Sequence, residues 1–307
     1  MQKHKTKYWG RGARRRNPVK DQSIDEILQR CEKAGTVKRY DLINMMIMDN
    51  DYKTYLEVGV HQAYCYDRVI CENKHGLEID PVFYSQLQHD HRTPARADGD
   101  SNHARLGIIN IGSDEYFEGI SRDKKFDIIF IDASHYDEDV DKDISNALEH
   151  LSDTGMLVMH DCNPAHYLCT IDTETIGVNL ILKPSAHASL KREMDVSSPV
   201  LNLSHHVDSE SLRSVLRVVA PEKMSIQLFD KTTGDVLEEY DNPEFSRAAH
   251  QWCWDGMPYN GTAWKSYVRL RYENPEFAMW VLDDDHGVGV IKPKAKETIP
   301  LPKDISL

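Results

Sequence analysis

None of the six cysteines, at positions 31, 65, 71, 162, 169 and 253, forms a CxxC pair with another. Their spacing fits no secreted disulfide framework, so they are expected to be reduced thiols of a cytoplasmic protein. No apolar run approaches the roughly 18 residues needed to span a bilayer. No apolar stretch follows the basic N-terminal residues, so no signal peptide is read. A complete GxGxxG is missing as well, which disfavours a dinucleotide pyrophosphate.

Acid is what the chain has in excess. The net charge of −13 conceals an asymmetry: residues 1–20 hold eight Lys or Arg, Arg14-Arg15-Arg16 among them, and no acid. The rest carries 29 basic against 50 acidic side chains, a net of −21. Such a body is a poor nucleic-acid binder. The basic tail reads as a solvated terminus, with a phosphate or partner contact as its alternative. A 307-residue chain with 40 % apolar and 28 % charged residues suits a soluble protein with one large α/β domain and an insertion, or two small domains.

Ser23-Ile24-Asp25-Glu26 has the form of a capping box, so a first helix is expected to Gly35. A second is expected over 39–49. Strand patterns follow at 54–60, 75–80, 105–111, 126–132 and 156–160. Helices are expected at 62–72 and from Val140 to Leu151, with Gly155 as the stop of the latter. Alternation of this kind implies a doubly wound, mostly parallel sheet that binds ligands at the carboxyl ends of its strands. The rhythm breaks after Pro164. Residues 165–250 read as an insertion with a hairpin at 224–230 and 236–240 around Lys231-Thr232-Thr233-Gly234-Asp235. A helix at 262–272 and an antiparallel pair at 277–283 and 287–292 complete the core. The expected parts are a tail (1–20), a core (21–164), an acceptor-binding insertion (165–250) and completion of the core (251–307).

The polar ends of the strands carry the chemistry. Glu57 and Gly59 close the first strand. A glycine there allows close approach of a ligand, and the acid suits a cation. Asp80 closes the second and is placed for ribose hydroxyls. FDIIFIDASH (126–135) and HDCNP (160–164) bring Asp132, His135, His160 and Asp161 to the same rim.

These segments resemble the class I S-adenosylmethionine-dependent methyltransferases, and more narrowly the methyltransferase family 24 branch. The resemblance runs through YLEVGV (55–60), GLEIDP (76–81), GSDEYF (112–117), FDIIFIDASHYDEDVDKDI (126–144), LEHLSDTGMLVMHDCNP (148–164), YNGTAWKSYVRLR (259–271) and DDDHGVGVIKP (283–293). It implies a Rossmann-like fold and S-adenosylmethionine as methyl donor. Glu57, Gly59 and Val60 would then face the methionine part, Asp80 the ribose, Ser113 the adenine, and Asp132 the sulfonium and the reacting hydroxyl. Ala63 and Tyr64 depart from the small residues usual at that turn. Related members act in glycan and natural-product pathways.

Metal-dependent relatives use acids after the fourth and fifth strands to hold a divalent cation, which implies Mg²⁺ or Mn²⁺ on Asp132, His160 and Asp161. Against this stands His160 as a packed histidine with no metal. His135 is placed as general base, or else orients Asp132. Trp252, Trp254, Tyr259 and Trp264, beside Asp255 and Asn260, suit sugar stacking, and equally a core or an insertion interface. Asp283-Asp284-Asp285 reads as a solvated turn.

The function expected is methyl transfer to a hydroxyl of a sugar, glycan or related small molecule, with Asp132, His135 and Asp161 catalytic. The alternatives are an inactive methyltransferase-like binding domain and a nicotinamide-dependent oxidoreductase. A homo-oligomer is compatible with the sequence.

Overall fold

The computed structural model describes residues 23–89, 107–172, 175–194, 197–203, 209–241, 243–254 and 259–293. The basic tail, His205, His206, Asp255 and the side chain of Trp254 lie outside the described residues. These divide into two compact units. The first lies within Met1–Ser134, Val140–His160 and Asn274–Leu307, the second within His135–Asp139 and Asp161–Glu273. No helix among them is long and apolar enough to cross a membrane.

The first unit opens with α1 (Ile24–Ala34), which has the expected capping box and a left-handed Gly35 at its end, and α2 (Arg39–Asn50). Its sheet holds β1 (Thr54–Val58), β2 (Asn73–Leu77), β3 (Ile108–Ile109), β4 (Phe126–Ile131) and β5 (Leu151–Met159), with β10 (Ala278–Leu282) and β11 (Val288–Lys292) at its far edge. The order is β10-β11-β5-β4-β1-β2-β3. β1 to β5 pair in parallel, while β11 runs antiparallel to both β5 and β10. This is the doubly wound, mostly parallel Rossmann-like sheet expected, with an antiparallel last strand. Leu56, Ile128, Ile129, Phe130, Leu157 and Val158 are fully buried. Their near-continuous apolar runs are those of strands covered on both faces. Three more helices belong to the βα alternation: α3 (Pro81–His89), α4 (Ser113–Gly119) and α5 (Asp137–His150). Val140, Ile144 and Ala147 form the buried stripe of α5.

Several local expectations need correction. Residues 61–68 form successive turns rather than a helix. His61 and Ala63 have φ of 47° and 56°, left-handed values that interrupt a helical ladder. Ala63, Tyr66 and Val69 are nevertheless buried, which explains their helix-like spacing. Gly155 does not end α5. That helix stops at His150, and β5 starts at once. Between the Phe126–Leu151 and Ile128–Met156 pairings the register shifts. Gly155 fills this bulge, where a Cβ would lie 3.1 Å from the Phe126 and Asp127 carbonyl oxygens. β2 ends at Leu77, so Asp80 lies beyond the strand and not at its last position. β3 is shorter than expected, and residues 105 and 106 lie outside the described residues.

The second unit has its own antiparallel sheet, ordered β7-β6-β8-β9. It consists of β6 (Ile176–Leu182), β7 (Val200–Asn202), β8 (Met224–Asp230) and β9 (Val236–Tyr240), with helices α6 (Pro184–Met194), α7 (Ser209–Val218), α8 (Pro243–Trp254) and α9 (Ala263–Glu273). The β8–β9 hairpin is the one expected. Asp230 Oδ1 accepts from the N–H groups of Thr232 and Thr233, and Gly234 takes φ 77°. The core includes Val178, Leu180, Leu190, Leu216, Ile226 and Trp252.

Trp252 is 2 % exposed in that core, so its ring is a packing element and not a sugar platform. Trp252→Ala is expected to destabilise the protein by about 3–5 kcal/mol, the usual cost of emptying a buried aromatic site. Urea denaturation checks this. A loss below about 1 kcal/mol would exclude a core role, since surface changes stay near or below that size.

Candidate active site

Gly59 follows β1 with φ 88°. A Cβ built on it would lie 2.4 Å from the Asp132 carbonyl oxygen and 2.5 Å from the Ala133 Cα. Only glycine allows the ends of β1 and β4 to meet this closely. Val60, beside it, is buried, and its side chain packs towards Gly76 of β2.

Glu57 is fully buried and accepts a hydrogen bond from the Tyr55 hydroxyl at 2.5 Å. Burial pushes its carboxyl up to about 8, although the Tyr55 bond favours the anion. Glu78, which sequence reasoning passed over, is also buried. Its Oε2 accepts from the His61 N–H at 2.5 Å and its Oε1 from the Asp80 N–H at 2.8 Å. It therefore ties the turn after β1 to the end of β2. Asp80 instead caps α3, its Oδ1 accepting from the N–H groups of Val82 and Phe83. The signal for Glu78 was its place directly after the strand, two residues nearer the sheet than Asp80. Ser113 is the first residue of α4. Thus Glu57, Gly59, Val60 and Glu78 share one rim, with Asp80 and Ser113 at the starts of the helices that follow β2 and β3.

Asp132 and His160 follow β4 and β5, and the His160 Nδ1 lies 3.2 Å from the Asp132 Oδ1. Arg39, at the start of α2, joins them. Its Nε is 3.4 Å from Asp132 Oδ2 and its Nη1 2.6 Å from His160 Nε2. Asp285 accepts from the Arg39 backbone N–H at 3.0 Å and pairs with both Arg39 and Lys38. Asp284 accepts from Thr36 Oγ1 and from the Val37 N–H, each at 2.7 Å. The acidic turn is therefore a brace for α2, contrary to the solvated turn expected. Burial pulls the Arg39 pKa down, but Asp132 and Asp285 outweigh it and leave the pKa raised.

In the second unit, His135 Nδ1 lies 3.0 Å from Asp161 Oδ2, and Asn260 Nδ2 donates to Asp161 Oδ1 at 3.1 Å. Asp161 has φ 59°, a conformation uncommon for a residue with a side chain. Its carboxylate is 6 % exposed, while the His135 ring is 40 % exposed. The His135 carbonyl accepts from the Thr262 N–H at 2.7 Å, and Gly261 packs against it so closely that a Cβ would lie at 2.3 Å. The Tyr259 ring is 5.1 Å from the imidazole. The His135 backbone is thus held from the 260–262 loop and its ring by Asp161. With Nδ1 beside the Asp161 carboxylate, the ring proton sits on Nδ1 and the lone pair on Nε2. Asn260 was read from sequence as a neighbour of aromatics suited to sugar stacking, a core or an insertion interface, without a partner of its own.

Asp132, His160 and Asp161 each offer a donor atom of metal-binding type. The fit is poor. The His160 Nε2 lone pair faces Arg39, Asp132 is paired with the same guanidinium, and the Asp161 carboxylate is engaged by His135 and Asn260.

Residues 56–162 match a family model described as a methyltransferase domain. No curated protein matches. Among solved structures, the chain is similar to an S-adenosylhomocysteine-bound methyltransferase from Podospora anserina, at 14 % identity and TM-score 0.40, over 88 % of this chain and 85 % of that one. It is also similar to an O-methyltransferase from Bacillus cereus with S-adenosylhomocysteine, at 11 % and 0.41, over 88 % and 90 %. A third is the O-methyltransferase TomG from Streptomyces achromogenes, involved in tomaymycin synthesis and solved with S-adenosylmethionine, at 9 % and 0.39, over 89 % of each chain.

The raised Glu57 carboxyl gives stability a definite pH dependence. The ordinary carboxylate releases its proton near pH 4.5, while folded Glu57 keeps it to about 8. The folded state therefore holds the extra proton between these values, and its stability falls as pH rises through that window. Glu57→Gln is expected to flatten the decline, with an advantage over wild type that grows to roughly 3–4 kcal/mol at pH 8. Urea denaturation at pH 5 and 8 measures it; parallel profiles for the two proteins would mean that Glu57 is ionised throughout.

Proposed function

We propose that the methyltransferase domain at residues 56–162 moves a methyl group from S-adenosylmethionine to a hydroxyl oxygen of a sugar, glycan or similarly hydroxylated small molecule, with His135 as general base. The observation that carries this reading is the His135–Asp161–Asn260 arrangement, on a chain whose β1 and β2 ends bear Glu57, Gly59 and Glu78.

S-adenosylmethionine supplies an electrophilic methyl on a positively charged sulfur. Glu57 and Gly59 are the residues for its methionine part: the glycine sets the turn after β1, and Glu57, neutral to about pH 8 in the free protein, would ionise against its ammonium group. We assign the ribose hydroxyls to Glu78, whose carboxylate already spans the turn after β1 and the end of β2. Asp80 and Ser113 remain neighbours of the nucleoside. On the acceptor side, the hydroxyl proton passes to His135 Nε2 as the oxygen attacks the methyl carbon and the carbon–sulfur bond breaks. Asp161 holds the imidazole in the required tautomer and stabilises the imidazolium formed. Asn260 is a positioning residue that fixes Asp161. Alignment of oxygen, methyl and sulfur then supplies most of the acceleration.

The metal expected from Asp132, His160 and Asp161 enters no step here, because their lone pairs face other groups.

Calorimetry with S-adenosylhomocysteine tests the donor site directly. Wild-type protein should bind it and not NAD. Glu78→Gln should weaken binding at least tenfold, as loss of a charged acceptor costs about 1.5–3 kcal/mol. Binding of NAD alone would favour the oxidoreductase reading. Unchanged affinity in Glu78→Gln would return the ribose to Asp80. With an acceptor found by screening sugars and phenols with labelled methyl donor, Asp161→Asn should lower kcat about 10²–10⁴-fold with little change in KM. Asn260→Ala should lower it less and shift the acid limb of the pH profile.

A further inference from the structure

We propose that the Arg39 guanidinium stands where a divalent cation would otherwise be held by Asp132 and His160, so that this chain transfers methyl groups without a metal. The first half rests on geometry alone; the second rests also on the methyl-transfer reading above.

A guanidinium has donors only. At 2.6 Å from Arg39 Nη1, the His160 Nε2 must therefore be the acceptor. Its lone pair, the one a metal would need, is directed at Arg39. The ring proton then sits on Nδ1, which faces Asp132 Oδ1 at 3.2 Å. The second oxygen of Asp132 lies 3.4 Å from Arg39 Nε. One planar cation thus meets both candidate ligands, His160 by a hydrogen bond and Asp132 by an ion pair.

Arg39 is not a loose surface side chain. Its side chain is 17 % exposed. Its backbone N–H donates to Asp285, which also pairs with its guanidinium. Two residues earlier, Asp284 receives the Val37 N–H, so the start of α2 is clamped. Charge is balanced as well. Asp132 and Asp285 face Arg39 and Lys38. A divalent ion would add two positive charges beside a guanidinium that does not deprotonate. The carboxylate that lies next to His160 in the chain, Asp161, is engaged by His135 and Asn260.

Mn²⁺ itself is the probe, followed by electron paramagnetic resonance and calorimetry on the full chain at neutral pH. Wild-type protein is expected to show no Asp132-dependent site tighter than about 1 mM, the weak end of biological divalent-ion sites. Arg39→Ala, which vacates the position, should gain one site at least tenfold tighter than any in wild type, and Arg39→Ala/Asp132→Asn should lose it. Arg39→Gln, which keeps reach and removes charge, should behave as Arg39→Ala does and covers the case in which the alanine variant fails to fold. Arg39→Lys should gain nothing. Wild-type binding of one Mn²⁺ that Asp132→Asn abolishes would overturn the proposal. So would a folded Arg39→Ala or Arg39→Gln that gains no site. S-adenosylhomocysteine binding on the same samples separates the two readings: its absence defeats methyl transfer and leaves the occupancy of the Asp132–His160 pair to the Mn²⁺ result. With both intact, activity should be unchanged in EDTA.

Discussion

The approach of Gly59 to the Asp132 carbonyl is the contact on which the rest of the first unit's site depends. A Cβ at Gly59 would overlap the backbone of β4's exit. Because it has none, the chain can turn at φ 88° and still let the ends of β1 and β4 lie side by side. That turn carries the His61 N–H to Glu78 and leaves Glu57 sealed beneath it. Any larger residue would push the two strand exits apart and separate Glu57 from Asp132 and Glu78.

Burial makes the charges around this turn mutually dependent. Glu57 is pushed towards the neutral acid because few groups near it can replace water. Asp132 and Asp285 are more accessible and have the Arg39 guanidinium between them. An arginine suits such a place, since its fork can meet two acceptors at once and its charge does not titrate. The acidic run at 283–285 follows from the same requirement. Two of its three carboxylates hold the first turn of α2 and so fix the arginine that α2 presents.

The His135 arrangement shows how little local sequence is needed for a base. The imidazole is oriented by one buried carboxylate, which is itself held by one amide. The backbone strain at Asp161 is concentrated where that carboxylate turns away from the strand direction. Strain of this sort persists when surrounding contacts over-determine it, and here the Asn260 bond and the His135 pair do so.

Some of this was legible in the residues alone. Apolar runs at 55–60, 126–132 and 156–160 specified buried parallel strands, because only sheets covered on both faces tolerate such runs. Polar groups directly after those runs marked the functional rim. The β8–β9 hairpin was legible from its turn residues, and α1 from its capping box. Other features depend on partners distant in sequence. The Ala63–Tyr66–Val69 spacing looks helical, but left-handed residues at 61 and 63 and burial in the core make it a series of turns. Trp252 went to the core, and Gly155 to a strand bulge. Arg39 lies in none of the segments that carry the resemblance, and the segments that hold Glu78 and Asn260 do not say which partner either one meets. Arg39 meets His160 across 121 positions and Asn260 meets Asp161 across 99. The sequence by itself determined which strands exist and which acids end them, since hydrophobic periodicity and turn chemistry are local. Only the tertiary structure decided which donor meets which acceptor, because a hydrogen bond between distant residues exists only after the chain has brought their atoms within about 3 Å.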